Sequence, residues 1–151
     1  MNEKDMAIER SLRLFRILYR AFRSVSEHST RDIKSYGLNP TEFAVLELLY
    51  HKGPIPLQQI GSRLLILSGG VTYTIDKLEN AGYVSRRNCS EDRRVTYAGV
   101  TEEGKRMMET IFPKHALALH EAMSGLTDDE KDQAIELLKK LGIEADRLLS
   151  R

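Results

Sequence analysis

The chain has little thiol and no long apolar run. Its single cysteine, Cys89, excludes an intrachain disulfide framework and any cysteine-rich zinc site. No apolar stretch approaches the roughly eighteen residues that a membrane span needs. The opening Met1-Asn2-Glu3-Lys4-Asp5 passes directly into a charged amphipathic pattern with no signal-peptide core. These absences predict a cytoplasmic protein with no membrane role. Also missing are a Gly-rich phosphate loop, a Gly-x-Ser-x-Gly elbow and a His-Glu-x-x-His pair. His115 and His120 stand five apart and diverge by roughly 140° on a helix, which is unsuited to shared ligation. His28 and His51 are isolated in sequence. The expectation is no enzyme, no metal site and no cofactor.

What is present fits a folded chain. With 151 residues there is room for one domain, with or without an added assembly element. Hydrophobic residues make up 41% and charged residues 30%, a globular balance rather than a disordered one. The net charge of +1 hides an uneven distribution. Residues 1–50 carry 8 basic and 7 acidic side chains, residues 51–100 carry 7 and 4, and residues 101–151 carry 8 and 11. The middle is basic and the last third acidic, which places any polyanion-binding surface in the middle.

Ile8, Leu12, Phe15, Leu18, Tyr19, Phe22 and Val25 recur at three- and four-residue steps, one apolar stripe of a helix from about Asp5 to Thr30. Arg10, Arg13, Arg16, Arg20 and Arg23 lie opposite, as a solvated face or as contacts to phosphates or an acidic partner. Gly37 punctuates. Asn39-Pro40-Thr41-Glu42 supplies an N-cap, a first-turn proline and a glutamate at N3, opening a second helix that Lys52-Gly53-Pro54 ends. Ile55-Pro56 allows a bridge of strand at most. A short third helix follows over Leu57 to Leu65, and Ser68 can cap a fourth that runs to about Asn80 and stops at Gly82. The period then changes: Tyr83 to Cys89 and Val95 to Val100 favour β-structure and flank the polar Ser90-Glu91-Asp92-Arg93-Arg94. This is a hairpin with a charged tip. Thr101 begins a long helix to about Met123, broken or kinked near Pro113. Thr127-Asp128-Asp129-Glu130 is a capping box for a last helix through Ile135, Leu138, Leu141 and Leu148, with Gly142 a weak point.

Helix, short helix, turn, helix and hairpin make the layout of a winged helix-turn-helix. An α-helix fits the major groove of B-DNA, where its first residues reach base edges. The outer side of the fourth helix offers Gly69, Thr72, Tyr73, Asp76 and Lys77. Small side chains at Ser68, Gly69 and Gly70 let backbone N–H groups approach phosphates, aided by the helix dipole. Base reading is expected from Ser68, Gly70, Thr72 and Tyr73, with register and phosphate contacts from Gln58, Gln59, Lys77 and Arg86. Arg93 or Arg94 at the tip suits a narrow minor groove, while Asp92 pairs with an arginine and fixes the tip. The bland alternative is a helical hairpin with a solvated outer face.

The stretches Gly37 to Leu46 and Ile75 to Val84, the wing Glu91-Asp92-Arg93-Arg94 and the following Val100-Thr101-Glu102-Glu103-Gly104-Lys105 resemble the MarR family of bacterial transcription regulators. The resemblance runs through nearly the whole chain. It implies a mainly α fold with a small β-hairpin wing, in a single domain over 1–151. Dimerisation helices at 5–36 and 105–151 would interlock two copies around winged portions at 39–100, which read a pseudo-palindromic operator in duplex DNA. Around Gly37–Gly61 the chain is similar to the branch repressing quinone- and catechol-detoxification genes. That implies release by a small aromatic effector, bound in the crevice between dimer helices and winged domain. Tyr19, Phe22, His28 and Phe43 are candidates to line it, although aromatics at helical spacing commonly belong to the core.

Cys89 lies near basic neighbours that can lower a thiol pKa, so a redox switch stands beside its plainer reading as a half-buried strand residue. The peroxide-sensing branch of the family keeps its reactive cysteine in the first helix, and here that helix has none. A third reading is a winged-helix module that docks its basic middle on an acidic protein.

Overall fold

The computed structural model describes residues 2–64 and 68–151, and of Ser68 the backbone alone. Among the described residues six helices and a three-stranded sheet follow in chain order: α1 (Glu3–Ser35), α2 (Pro40–Lys52), β1 (Ile55–Pro56), α3 (Leu57–Leu64), α4 (Ser68–Asn80), β2 (Val84–Asn88), β3 (Thr96–Val100), α5 (Glu102–Ala122) and α6 (Asp128–Leu149).

Local chemistry sets most boundaries. α1 starts two residues before Asp5 because the Asn2 side chain accepts from the Asp5 amide at 2.8 Å and the Asp5 carboxylate accepts from the Asn2 amide, a complete capping box. It also runs past Thr30 to Ser35, where Gly37 at φ +78° ends the turn. Asn39 and Glu42 cap α2 in the same reciprocal way, as do Thr127 and Glu130 for α6. Capping of α4 by Ser68, and the end of the third helix at Leu65, lie outside the described residues. α5 is not broken at Pro113. A proline there loses its N–H bond to the carbonyl of residue 109 and crowds that carbonyl with its ring, a cost that burial of Ile111 and His115 on either side offsets. α6 likewise continues through Gly142.

The sheet is antiparallel in the order β1-β3-β2. Ile55 pairs with Ala98, and β2 and β3 pair from Val84 opposite Val100 to Asn88 opposite Thr96. Ile55-Pro56 thus forms a real, if minimal, third strand. The core gathers Phe43, Val45, Leu46 and Leu49 of α2, Ile60 of α3, Val71, Ile75 and Leu78 of α4, Val84 and Ala98 of the sheet, and Met108 and Ile111 of α5. Ile33 from the end of α1, Leu38 and Ile55 complete it. Flanking helices therefore contribute to the core of the winged portion.

Both chain ends behave differently. Phe15 is 67% exposed and Phe22 70%. Ile8, Leu12 and Tyr19 of the expected stripe are exposed too, and so are Leu14 and Ile17 outside it. Along α6, Ile135, Leu138, Leu141 and Leu148 are all uncovered. So many large apolar side chains left uncovered on two helices exceed the singly scattered exposure usual at a protein surface. Among the described residues no helix is long and apolar enough to cross a membrane.

Candidate nucleic-acid interface

α4 is sided by its sequence. Val71, Thr74, Ile75 and Leu78 recur at three- and four-residue steps and are buried, which turns Thr72, Tyr73, Asp76 and Lys77 outward, all exposed. The Lys77 ammonium lies 5.3 Å from the centre of the Tyr73 ring, a cation–π contact that keeps both side chains on one patch. Gly69 is exposed, and a Cβ built there meets nothing within 4 Å. The protein's own packing does not require glycine at that position. On α3, Ile60 is fully buried while Gln58 and Gln59 are exposed. Gln58 shares a cleft of about 180 Å³ with Pro56, Leu57, Arg94, Val95 and Thr96, so the start of α3 and the wing line one surface.

The wing tip is built around Asp92. Its carboxylate accepts from the Arg94 backbone amide at 3.0 Å and from Arg94 Nε at 3.1 Å. These bonds hold the Asp92 carboxyl below the usual carboxylate range. The Val95 amide donates to the Asp92 carbonyl and the Cys89 amide to the Val95 carbonyl, closing the turn. The Arg94 side chain stays 90% exposed even so. Arg93 is exposed as well, with no ion pair among the described residues.

Arg86 is placed differently from the sequence expectation of a phosphate contact. Its guanidinium turns inward to two carboxylates of α4, with Nη2 donating to Asp76 Oδ1 at 2.5 Å and Nη1 to Glu79 Oε1 at 3.1 Å. The Arg86 amide donates to Glu79 Oε2. The Asp76 hydrogen bond is the main reason that the Arg86 pKa is raised.

Where the hairpin passes into α5, Thr101 acts twice. Its hydroxyl donates to the Gly82 carbonyl at 2.6 Å and accepts from the Gly104 amide at 3.0 Å. Gly82 sits at φ +86°, a conformation glycine adopts without strain.

The four candidate effector residues do not come together in the single chain. Tyr19, Phe22 and His28 are exposed on α1, whereas Phe43 is buried in the core with its ring 4.5 Å from that of His115. Sequence spacing missed His115. Its Nδ1 lies 2.9 Å from Asp32 Oδ2, and Tyr36 Oη donates to Asp32 Oδ1 at 3.0 Å. Burial, with the Asp32 bond second, raises the Tyr36 pKa. No local motif joins partners 83 residues apart; the one signal was a histidine on the inward side of α5, in step with Met108 and Ile111. Cys89 is half-buried beside Arg87 and Asn88 at an open cleft that also includes Pro54 and Tyr97.

Comparison with known proteins agrees with this geometry. Residues 38–96 match the MarR family model. The chain is 55% identical over 150 residues to the uncharacterized HTH-type transcriptional regulator YkoM of Bacillus subtilis, covering 99% of this chain and 96% of that protein. It is 50% identical over 137 residues to the HTH-type transcriptional regulator MhqR of the same organism, covering 91% and 94%. Among solved structures its fold resembles that of a mutant MarR from E. coli complexed with operator DNA, with TM-score 0.78, 22% identity and coverage of 87% of this chain and 95% of that one. The chain belongs to the MarR family of transcriptional regulators, which are not enzymes.

Proposed function

We propose that the chain is a homodimeric repressor that binds a pseudo-palindromic operator in duplex DNA and is released by a small aromatic effector. The observation that carries the reading is the joint exposure of the Tyr73–Lys77 face of α4 and the Arg93–Arg94 wing tip on a basic middle segment. Ser68, Gly70, Thr72 and Tyr73 meet base edges in the major groove. Gln58, Gln59 and Lys77 set the register on phosphates, and Arg93 or Arg94 enters the minor groove.

Dimerisation is supported by the uncovered apolar surface of α1 and α6, which a second copy buries. Two α4 helices then read half-sites about one helical turn, or 10–10.5 bp, apart. The aromatic effector is supported by the sequence similarity around Gly37–Gly61. It is proposed to bind between the dimer helices and the winged portion, against Tyr19, Phe22 and His28 of α1, whereas Phe43 stays within the core. It induces only by preferring a conformation whose two α4 helices are mis-spaced, because equal affinity for both states shifts nothing.

A gel shift on the DNA upstream of the chain's own gene, repeated at rising salt and with added phenols and quinones, tests the proposal. A salt-sensitive shift abolished by an aromatic compound is expected. Absence of any shift at low salt overturns DNA binding. A shift indifferent to every such compound overturns the effector.

A further inference from the structure

We infer that Arg86 is a positioning residue that fixes the roll of α4 against the wing, and that it does not itself bind phosphate. The inference rests on the DNA-binding reading for its consequence but not for its geometry. Asp76 and Glu79 stand three residues apart on α4, hence about one turn along its axis. One guanidinium from β2 holds both, and the Arg86 backbone amide adds a second bond to Glu79. A single ion pair lets a helix pivot about the contact. Two contacts a turn apart, made by a rigid planar fork, oppose both pivoting and rolling.

Burial points the same way. The Arg86 side chain is 24% exposed, against 54% for Asp76 and 41% for Glu79, so the cation is the most covered member of the trio. The three carry one net negative charge between them, which a polyanion does not seek. Nearby Lys77 is instead engaged over Tyr73. Because β2 continues into the wing, the same side chain sets the spacing between the face of α4 and Arg94. Operator discrimination needs that spacing, whereas non-specific attraction to phosphate does not.

The test compares wild type, Arg86→Lys and Arg86→Gln by fluorescence anisotropy on operator and scrambled duplexes over a salt series. Amide hydrogen exchange is measured on the free proteins. We expect both variants to lose about tenfold or more in operator affinity, with little change on scrambled DNA and a salt slope unchanged from wild type. An ammonium on a shorter stem lacks the planar fork that addresses both carboxylates in fixed geometry, so Arg86→Lys is expected not to restore wild-type operator affinity. Exchange is expected to quicken at the C-terminal end of α4 and in β2. A slope reduced by about one, with equal losses on both duplexes and rescue by lysine, makes Arg86 a phosphate contact and overturns the inference. So does unchanged exchange in Arg86→Lys, a folded variant that keeps the charge. If wild type binds no DNA the repressor proposal falls, and the exchange arm still judges the clamp.

Discussion

A Cβ added to Gly104 would lie 2.1 Å from the carbonyl oxygen of Tyr83. The first turn of α5 thus rests directly on the backbone that opens β2. The same carbonyl accepts the Thr101 amide at 3.0 Å, so it cannot withdraw without losing that bond. Gly104→Ala is expected to destabilise by about 1–3 kcal/mol, the range for forcing a methyl into a packed site. Gly142→Ala meets nothing within 4 Å and is expected to stabilise α6 by up to about 1 kcal/mol. Urea unfolding of the two variants side by side checks the opposite signs.

Arg94 is anchored by its own Asp92 yet presents an exposed side chain. In the proposed complex, Arg94→Ala weakens binding to all sequences alike and flattens the salt slope by about one unit. Anisotropy titrations at several salt concentrations measure it. An unchanged slope removes Arg94 from the contacts.

The wing tip is expected to loosen in acid. The Asp92 carboxyl is held low by bonds from Arg94 that need its ionised form. The resulting order is fully present above the ordinary carboxylate range and disappears as pH falls through the lowered value. NMR shifts of the Arg94 amide against pH follow the transition, and Asp92→Asn flattens the curve. An Arg94 amide indifferent to acid contradicts this account.

Asp32 is the only carboxylate bonded to His115 among the described residues. Asp32→Ala removes an acceptor shared by His115 and Tyr36 and leaves a 4%-exposed imidazole without that partner. The expected loss is about 1–3 kcal/mol, read from the shift in denaturation midpoint at constant slope. A change below a few tenths shows that water replaces the carboxylate.

Phe22→Glu places a charge on the uncovered face of α1. In the homodimer proposal that charge is desolvated at the interface, so the variant sediments as a monomer and loses operator affinity. A variant that sediments as wild type places the interface elsewhere.

Much of the fold was legible because its signals are local. Asn39-Pro40-Thr41-Glu42 and Thr127 to Glu130 each carry a whole cap in four residues. The change of period at Tyr83 announces the hairpin, and Val71, Ile75 and Leu78 orient α4 without reference to anything distant. α1 starts ahead of its apolar period because its cap, Asn2, lies outside that period. It runs on past Thr30 because Asp32 and Ile33 are held by partners far along the chain. The same divide separates the candidate site residues. Asp92 beside Arg94 is a two-residue relation that the sequence reading anticipated. Arg86 looked like one more basic side chain on a basic segment, since only the folding of β2 against α4 brings Asp76 and Glu79 to it. Phe43 resembled a wall of a crevice because periodicity cannot tell a lining aromatic from one covered by a helix such as α5.

The uninterrupted course of α5 through Pro113 makes it a lever. One residue, Thr101, separates β3 from its first turn, and its far end lies among the uncovered helices. At about 1.5 Å per residue, its 21 residues span roughly 30 Å. A tilt of about 5° at one end therefore carries the other by nearly 3 Å, about the length of a hydrogen bond. In the proposed repressor, a small pivot of α5 at the dimer helices would carry the wing by that distance relative to the other copy.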